Sequence, residues 1–216
     1  MQAIARKFRA IQSRRNRAGV FTKIYKEGLW GSPESLSGTG SGEQATLAIR
    51  QELPKLFRSL GVTSMIDIPC GDFHWIGSLV AETGVRYQGF DIVADMIADN
   101  QRRYGSPSVH FGVLDIVKMV PPQADLILCR HLLIHLPLQD AVSSIRNFQR
   151  SGSKYLLVTT QPDCPRNEEI AWTGTYRPVN LELPPFQLKP TARIPDPQSP
   201  TDQAELALFR LDEISL

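Results

Sequence analysis

A chain of 216 residues with 42% hydrophobic and 21% charged residues has the length and composition of one globular domain with a real core. No apolar run reaches the length a helix needs to cross a bilayer, so a membrane-spanning helix is excluded as an expectation. The net charge of +2 conceals a basic start: residues 1–26 carry eight Lys and Arg and no acid, a charge of +8 that leaves −6 on the remainder.

The basic residues of that start are Arg6, Lys7, Arg9, Arg14, Arg15, Arg17, Lys23 and Lys26. A solvated tail is the plain reading; contact with a polyanion, nucleic acid included, through residues 6–26 is the sharper one. The stretch lacks a secretory apolar region, and its Arg-rich, acid-free pattern also fits an organellar transit peptide. Three cysteines, Cys70, Cys129 and Cys164, are odd in number and match no zinc spacing. Reduced thiols, a cytoplasmic location and no metal site are the expectation.

In chain order, residues 1–20 read as a basic arm, a weakly packing helix set apart from a domain over 21–216. Residues 21–42 contain Trp30 and then a Gly/Ser stretch that cannot be a regular element. We read them as a lid over a ligand cleft. A helix is predicted over 43–60, kinked or split by Pro54 and stopped by Gly61. Five strands follow, each ahead of a turn or helix: 64–68, 86–91, 108–112, 125–129 and 155–160, with helices over 72–81, 94–104 and 138–150. Asp72 is the expected N-cap of the first of these helices. Residues 161–203 form a second irregular lid or substrate segment; 161–200 alone hold nine of the sixteen prolines. A last strand is expected over 204–211. Alternating strands and helices predict a Rossmann-like, open and mainly parallel sheet with helices on both faces and a C-terminal antiparallel strand.

Four acids, Asp67, Asp72, Asp91 and Asp115, fall at or just past successive strand ends, which in such a sheet face one crevice. Gly71 and Asp91 are 20 residues apart, the spacing that brings a second-strand acid to ribose hydroxyls. A dinucleotide site wants G-x-G-x-x-G for the pyrophosphate. Here the turn is Pro69-Cys70-Gly71-Asp72, with the first glycine missing and an acid where a diphosphate would be repelled. A cationic nucleoside without phosphate suits this turn, and S-adenosylmethionine is such a ligand.

At this point the sequence resembles the class I S-adenosylmethionine-dependent methyltransferases over residues 62–160. Ile66-Asp67-Ile68-Pro69-Cys70-Gly71-Asp72 resembles the family's first motif, Phe90-Asp91-Ile92 its second and Val113-Leu114-Asp115-Ile116 its third. Asp125 to His131, with His135, resembles its fourth. The Pro-Cys pair departs from the usual glycine. The flanks, Leu29-Trp30-Gly31, Ser35-Leu36-Ser37-Gly38 and Tyr176 to Leu181, are similar to a bacterial branch that brings no assigned acceptor with it.

The resemblance implies that Asp67, Pro69, Gly71 and Asp72 hold the methionine part of the cofactor and that Asp91 takes the ribose hydroxyls. It implies that Asp115 accepts from the adenine amino group between Ile92 and Ile116. Arg130 and His131 then sit beside the methyl group. His131 is the first candidate for a general base, and His135, one turn on, is its candidate partner or a structural residue. On the acceptor side the candidates are Trp30, Trp172, Tyr176, Arg177 and Asn180, with Arg177 suited to a carboxylate or phosphate. The expected reaction is methyl transfer to O or N of a small-molecule or glycan-like acceptor. The rival readings are an RNA or other nucleic-acid methyltransferase docked by the basic arm, and a non-catalytic adenosyl-binding pseudo-methyltransferase.

Overall fold

The computed structural model describes residues 16–197 and 203–216. The part of the basic arm before Asn16 lies outside the described residues. The helices are α1 (Arg17–Glu27), α2 (Glu43–Leu60), α3 (Ile76–Thr83), α4 (Ala94–Tyr104) and α5 (Leu138–Arg150). The strands are β1 (Ser64–Asp67), β2 (Arg86–Asp91), β3 (Val109–Val113), β4 (Leu126–Cys129), β5 (Tyr155–Thr160), β6 (Ala192–Pro195) and β7 (Glu205–Arg210). They form one sheet in the order β3-β2-β1-β4-β5-β7-β6. The first five run parallel, and β7 is antiparallel to both β5 and β6. This is the open, mainly parallel sheet expected from the sequence.

Both faces of the sheet are covered, so residues alternate between two apolar layers. Ile66, Ile127, Leu156 and Phe209 face Ile145 and Phe148 of α5, together with Val179, Leu181 and Phe186 of the irregular segment. Met65, Leu126, Leu128, Leu157 and Leu208 face Ile49, Leu53 and Phe57 of α2 and Leu79 of α3. The central strand β4 is buried at all four positions, which is why it reads as an unbroken apolar run.

Several local expectations are corrected. Pro54 does not split α2, which is assigned as one helix of 18 residues. Leu53, Pro54 and Phe57 are all buried, so core packing on both sides of the proline outweighs its cost of about 3 kcal/mol. The helix after β1 begins at Ile76, not at Asp72, and its N-cap position is Trp75 with no side-chain cap. Asp72 is engaged elsewhere, as shown below. The segment 161–203 is less irregular than expected: it contains β6 and sends Val179, Leu181, Phe186, Leu188 and Ile194 into the core. Helix α1 runs through the 20/21 division between arm and domain, with Val20 and Ile24 buried.

Candidate active site

A cavity of about 610 Å³ opens at the carboxyl ends of β1, β2 and β4, the place where an open α/β sheet binds its ligand. The volume lies inside the range of about 300–1,000 Å³ of small-molecule sites. Of the four strand-end acids, Asp67, Asp91 and Asp115 line it, and Asp72 does not.

Asp67 ends β1 and is 3% exposed. Its Oδ2 accepts the Tyr87 hydroxyl at 2.9 Å. Burial pushes its pKa up to about 7, although Tyr87 and Arg130 pull the other way. Asp91 ends β2 and is 7% exposed. Its two oxygens accept from Val93 N at 3.1 Å and Gly71 N at 3.3 Å. Burial again dominates and raises it to about 6. Among the described residues neither carboxylate forms an ion pair, so both present negative charge to the cavity whenever they are ionised.

The turn between them is fixed by its own backbone. Cys70 N donates to Phe90 O at 2.9 Å, and Asn100 Nδ2 donates to Gly71 O at 2.8 Å. Gly71 sits at φ 55, in the left-handed region, and a Cβ there would collide with Ser37 Oγ. The glycine is therefore required twice, by conformation and by the close approach of the segment before α2.

That approach is held by Asp72. Its carboxylate accepts from Ser35 Oγ at 2.9 Å, Leu36 N at 2.8 Å and Ser37 Oγ at 3.2 Å. These bonds are charge-assisted and join residues about 36 positions apart. They draw Leu36 to Gly40 against the cavity as part of its wall. Asp72 thus anchors the covering segment instead of capping α3.

Asp115 lies past β3 and faces Arg17 of α1, with Nη2 at 2.8 Å from Oδ2 and Nε at 3.2 Å from Oδ1. Arg17 Nη1 continues to Asp140 Oδ2 at 3.0 Å. Helix α1 is thereby pinned across this end of the cavity, and Phe21 and Tyr25 line it beside Arg17. Ile92 and Ile116 line the same region, and Pro69 lines the wall at the β1 turn.

At the end of β4, Arg130 is 6% exposed and paired with buried Asp196, at 2.8 Å from each carboxylate oxygen. Its Nη1 donates to Gly40 O at 2.8 Å, and its guanidinium carbon lies 5.3 Å from the Trp75 ring centre. His131 follows at φ 56, a conformation uncommon for a residue other than glycine, and its N–H donates to Thr159 Oγ1 at 2.9 Å. Burial, then the charge of Arg130, lowers its pKa well below the usual 6.5. His135 stacks on Trp30 at 5.1 Å, and its Nδ1 is 3.2 Å from Thr175 O. Burial pushes it down to about 4. No bond joins the two histidines: each has its own partner.

On the acceptor side, Trp30 and Tyr176 line the cavity, and Trp172, Arg177 and Asn180 do not. The Arg177 guanidinium donates to Leu133 O at 3.1 Å and Leu136 O at 2.7 Å. Asn180 Nδ2 donates to Pro162 O at 2.9 Å and Cys164 O at 3.2 Å. Both are buried and fasten loops. Trp172 is 40% exposed. Sequence reasoning missed Arg17, Ser37, Trp75, Gln161 and Asp196. Ser37 belongs to a quoted flank motif, but Asp196 carries no local signal. Among the described residues no group of three His, Cys, Asp or Glu side chains could hold a metal ion. No helix of the described residues is long and apolar enough to cross a membrane.

No family profile and no curated protein sequence matches the chain. Solved structures do match. N-methyltransferase NodS from Bradyrhizobium japonicum WM9, in complex with S-adenosyl-L-homocysteine, superposes with a TM-score of 0.61 at 17% identity, over 87% of this chain and 97% of NodS. This chain has the class I S-adenosylmethionine-dependent methyltransferase fold. TnmH superposes at 0.58 with 14% identity over 78% of this chain, and LaPhzM at 0.54 with 14% identity over 75%. The chain spans little more than half of those two, 56% and 57% of their lengths. In this fold the β1 turn, the β2 acid and the β4 end converge on one cavity.

Proposed function

We propose that the chain is an S-adenosylmethionine-dependent methyltransferase that acts on O or N of a small-molecule or glycan-like acceptor carrying no anionic group. The observation that carries this is the charge balance of the cavity. Its two arginines are neutralised within the chain, Arg17 by Asp115 and Asp140 and Arg130 by Asp196. Its remaining acids, Asp67 and Asp91, form no ion pair among the described residues, and Arg130, whose charge reaches Asp67, is itself paired with Asp196. A site so arranged takes a cationic, phosphate-free nucleoside, and among its described residues it offers no unpaired cation to an anionic acceptor.

The residues fit the cofactor. Gly71 brings backbone close, Asp67 and Asp91 supply carboxylates for an ammonium and for ribose hydroxyls, and Ile92 and Ile116 supply apolar walls for a purine. Asp115 Oδ2 keeps one acceptor position for an amino group beside Arg17, since Oδ1 is taken by Arg17 Nε and Val117 N. Bound S-adenosylmethionine supplies an electrophilic methyl group on a sulfonium. The chain's own part is to hold an acceptor in line with that methyl, which is worth far more than any single contact. Phe21, Trp30, His135 and Tyr176 form successive ring contacts at 6.2, 5.1 and 6.4 Å, a wall suited to an aromatic or sugar ring. His131, neutral at pH 7, accepts the proton that the acceptor oxygen or nitrogen loses as it bonds the methyl carbon and the C–S electron pair stays on sulfur.

The nucleic-acid reading draws on the basic arm, yet its described cations pair inside the chain: Arg17 with Asp115, Lys23 with Glu27 and Lys26 with Asp95. The test is incubation with S-adenosylmethionine labelled in the methyl group and panels of neutral phenols, alcohols, amines and sugars, with RNA alongside. Label on a neutral acceptor supports the proposal. Label on RNA alone overturns it.

A further inference from the structure

We propose that Asp196 is the positioning residue of His131: it fixes the ring so that Nε2 carries the proton and Nδ1 presents its lone pair to the acceptor. The inference rests on the reading of His131 as the base.

Asp196 follows β6 in the proline-rich stretch, and its side chain is 0% exposed. Its main-chain N–H donates to Ala204 O at 2.8 Å, which fixes the residue to the lead-in of β7. Its carboxylate makes a two-pronged pair with Arg130, Nε to Oδ2 and Nη2 to Oδ1, both 2.8 Å. The oxygen that accepts from Arg130 Nε also lies 3.5 Å from His131 Nε2. That distance is longer than a hydrogen bond with good alignment, and such contacts at reaction centres tighten when ligand binds. A fully buried carboxylate 3.5 Å from an imidazole nitrogen selects the tautomer with hydrogen on that nitrogen, because the alternative sets a lone pair against a negative oxygen. The other nitrogen, Nδ1, makes no hydrogen bond among the described residues, and the residue lines the cavity.

The charges around the ring agree with this role. Arg130 and His135 both disfavour a proton on His131. Asp196 is the negative group against it, and it offsets Arg130 at the same time. Without it, a proton taken from the acceptor would arrive on a ring beside an uncompensated guanidinium. The left-handed backbone of His131, held by Thr159 Oγ1, supports the same conclusion, since a strained conformation at a cavity wall marks a side chain aimed for a purpose. His135 provides an internal contrast: its Nδ1 faces a carbonyl, which can only accept, so its proton sits on Nδ1.

The experiment uses the full chain, labelled with nitrogen-15 and saturated with S-adenosylhomocysteine, and assigns imidazole tautomers from long-range proton–nitrogen spectra, with His131→Gln identifying the signals. The expected result is a protected Nε2-bound proton on His131 and an Nδ1-bound proton on His135. In Asp196→Asn the His131 signal is lost to exchange with water, while the His135 signal stays and reports an intact fold. A proton on Nδ1 of His131 in the unaltered chain overturns the proposal, and so does a His131 signal unchanged in Asp196→Asn. Should Asp196→Asn fail to fold, the tautomer of the unaltered chain decides alone. Calorimetry with S-adenosylmethionine separates the two ideas: absence of binding there removes the methyltransferase reading, whereas binding with the wrong tautomer removes only the role of Asp196.

Discussion

Arg17 covers Asp115: the guanidinium reaches the carboxylate by two bonds, Nη2 to Oδ2 at 2.8 Å and Nε to Oδ1 at 3.2 Å, and passes on to Asp140 at 3.0 Å. One residue of the basic arm is thus a fixed part of the cavity wall. Its side chain is 6% exposed against 17% and 19% for the two acids. Arg17→Met should destabilise the fold by about 2–3 kcal/mol, below the ~3–5 of breaking a fully buried pair, because both acids keep some solvent. Urea denaturation checks it, and a midpoint unchanged from the parent chain would show that α1 is not anchored here.

Asp72 receives bonds from three consecutive residues of the covering segment. Asp72→Ala should free Ser35 to Gly40 and weaken cofactor binding about tenfold. Hydrogen exchange by mass spectrometry should find the backbone of 34–40 unprotected while β1 and β4 keep their protection. Equal protection in variant and parent would mean the segment is held by something else.

Two glycines share a left-handed backbone but not a neighbourhood. Gly84 at φ 65 has nothing within 4 Å of a built Cβ, whereas Gly71 at φ 55 has Ser37 against it. Gly84→Ala should cost only the backbone strain, about 1–2 kcal/mol. Gly71→Ala should cost more and also lower affinity for S-adenosylmethionine. Equal stability losses with unaltered affinity would remove Gly71 from the site.

The folded chain holds Asp67 at about 7 and Asp91 at about 6, above the roughly 3.9 of an unfolded aspartate. Raised folded values mean that the folded chain keeps protons the unfolded chain has lost between about pH 4 and 7. The stability they contribute is full below about pH 4 and is lost as pH rises through 6 to 7. A cation beside these carboxylates draws their protons off. Binding of S-adenosylmethionine should therefore release protons near pH 6 and tighten from about pH 5 to 8. Calorimetry in buffers of different protonation enthalpy reads the release. Net proton uptake would contradict the assignment.

The parts legible from sequence are those whose residues act locally. Strands β1, β4 and β5 read as apolar runs because both their faces are covered, and the acids at the ends of β1 and β2 follow from strand ends. What was not legible depends on partners distant in sequence. Asp72 looks like a cap until Ser35 to Ser37 arrive to claim most of its acceptor capacity, with α3 beginning only at Ile76. Arg177 looks like an anion receptor until the carbonyls of Leu133 and Leu136 take its Nη1 and Nη2 and bury it away from the cavity. Strand β6 is four residues at the sheet edge, three of them exposed, with no periodicity to find. Asp196 follows that strand and gains its meaning only from Arg130 and His131, 66 and 65 positions earlier.

The most direct test is titration calorimetry of the full chain with S-adenosylmethionine and S-adenosylhomocysteine. Both should bind at one site per chain, and Asp91→Ala should weaken both by about 1–3 kcal/mol through the lost ribose contacts. No heat at millimolar ligand, or an Asp91→Ala variant that binds as the parent does, would contradict a cavity built for a cationic adenosyl donor.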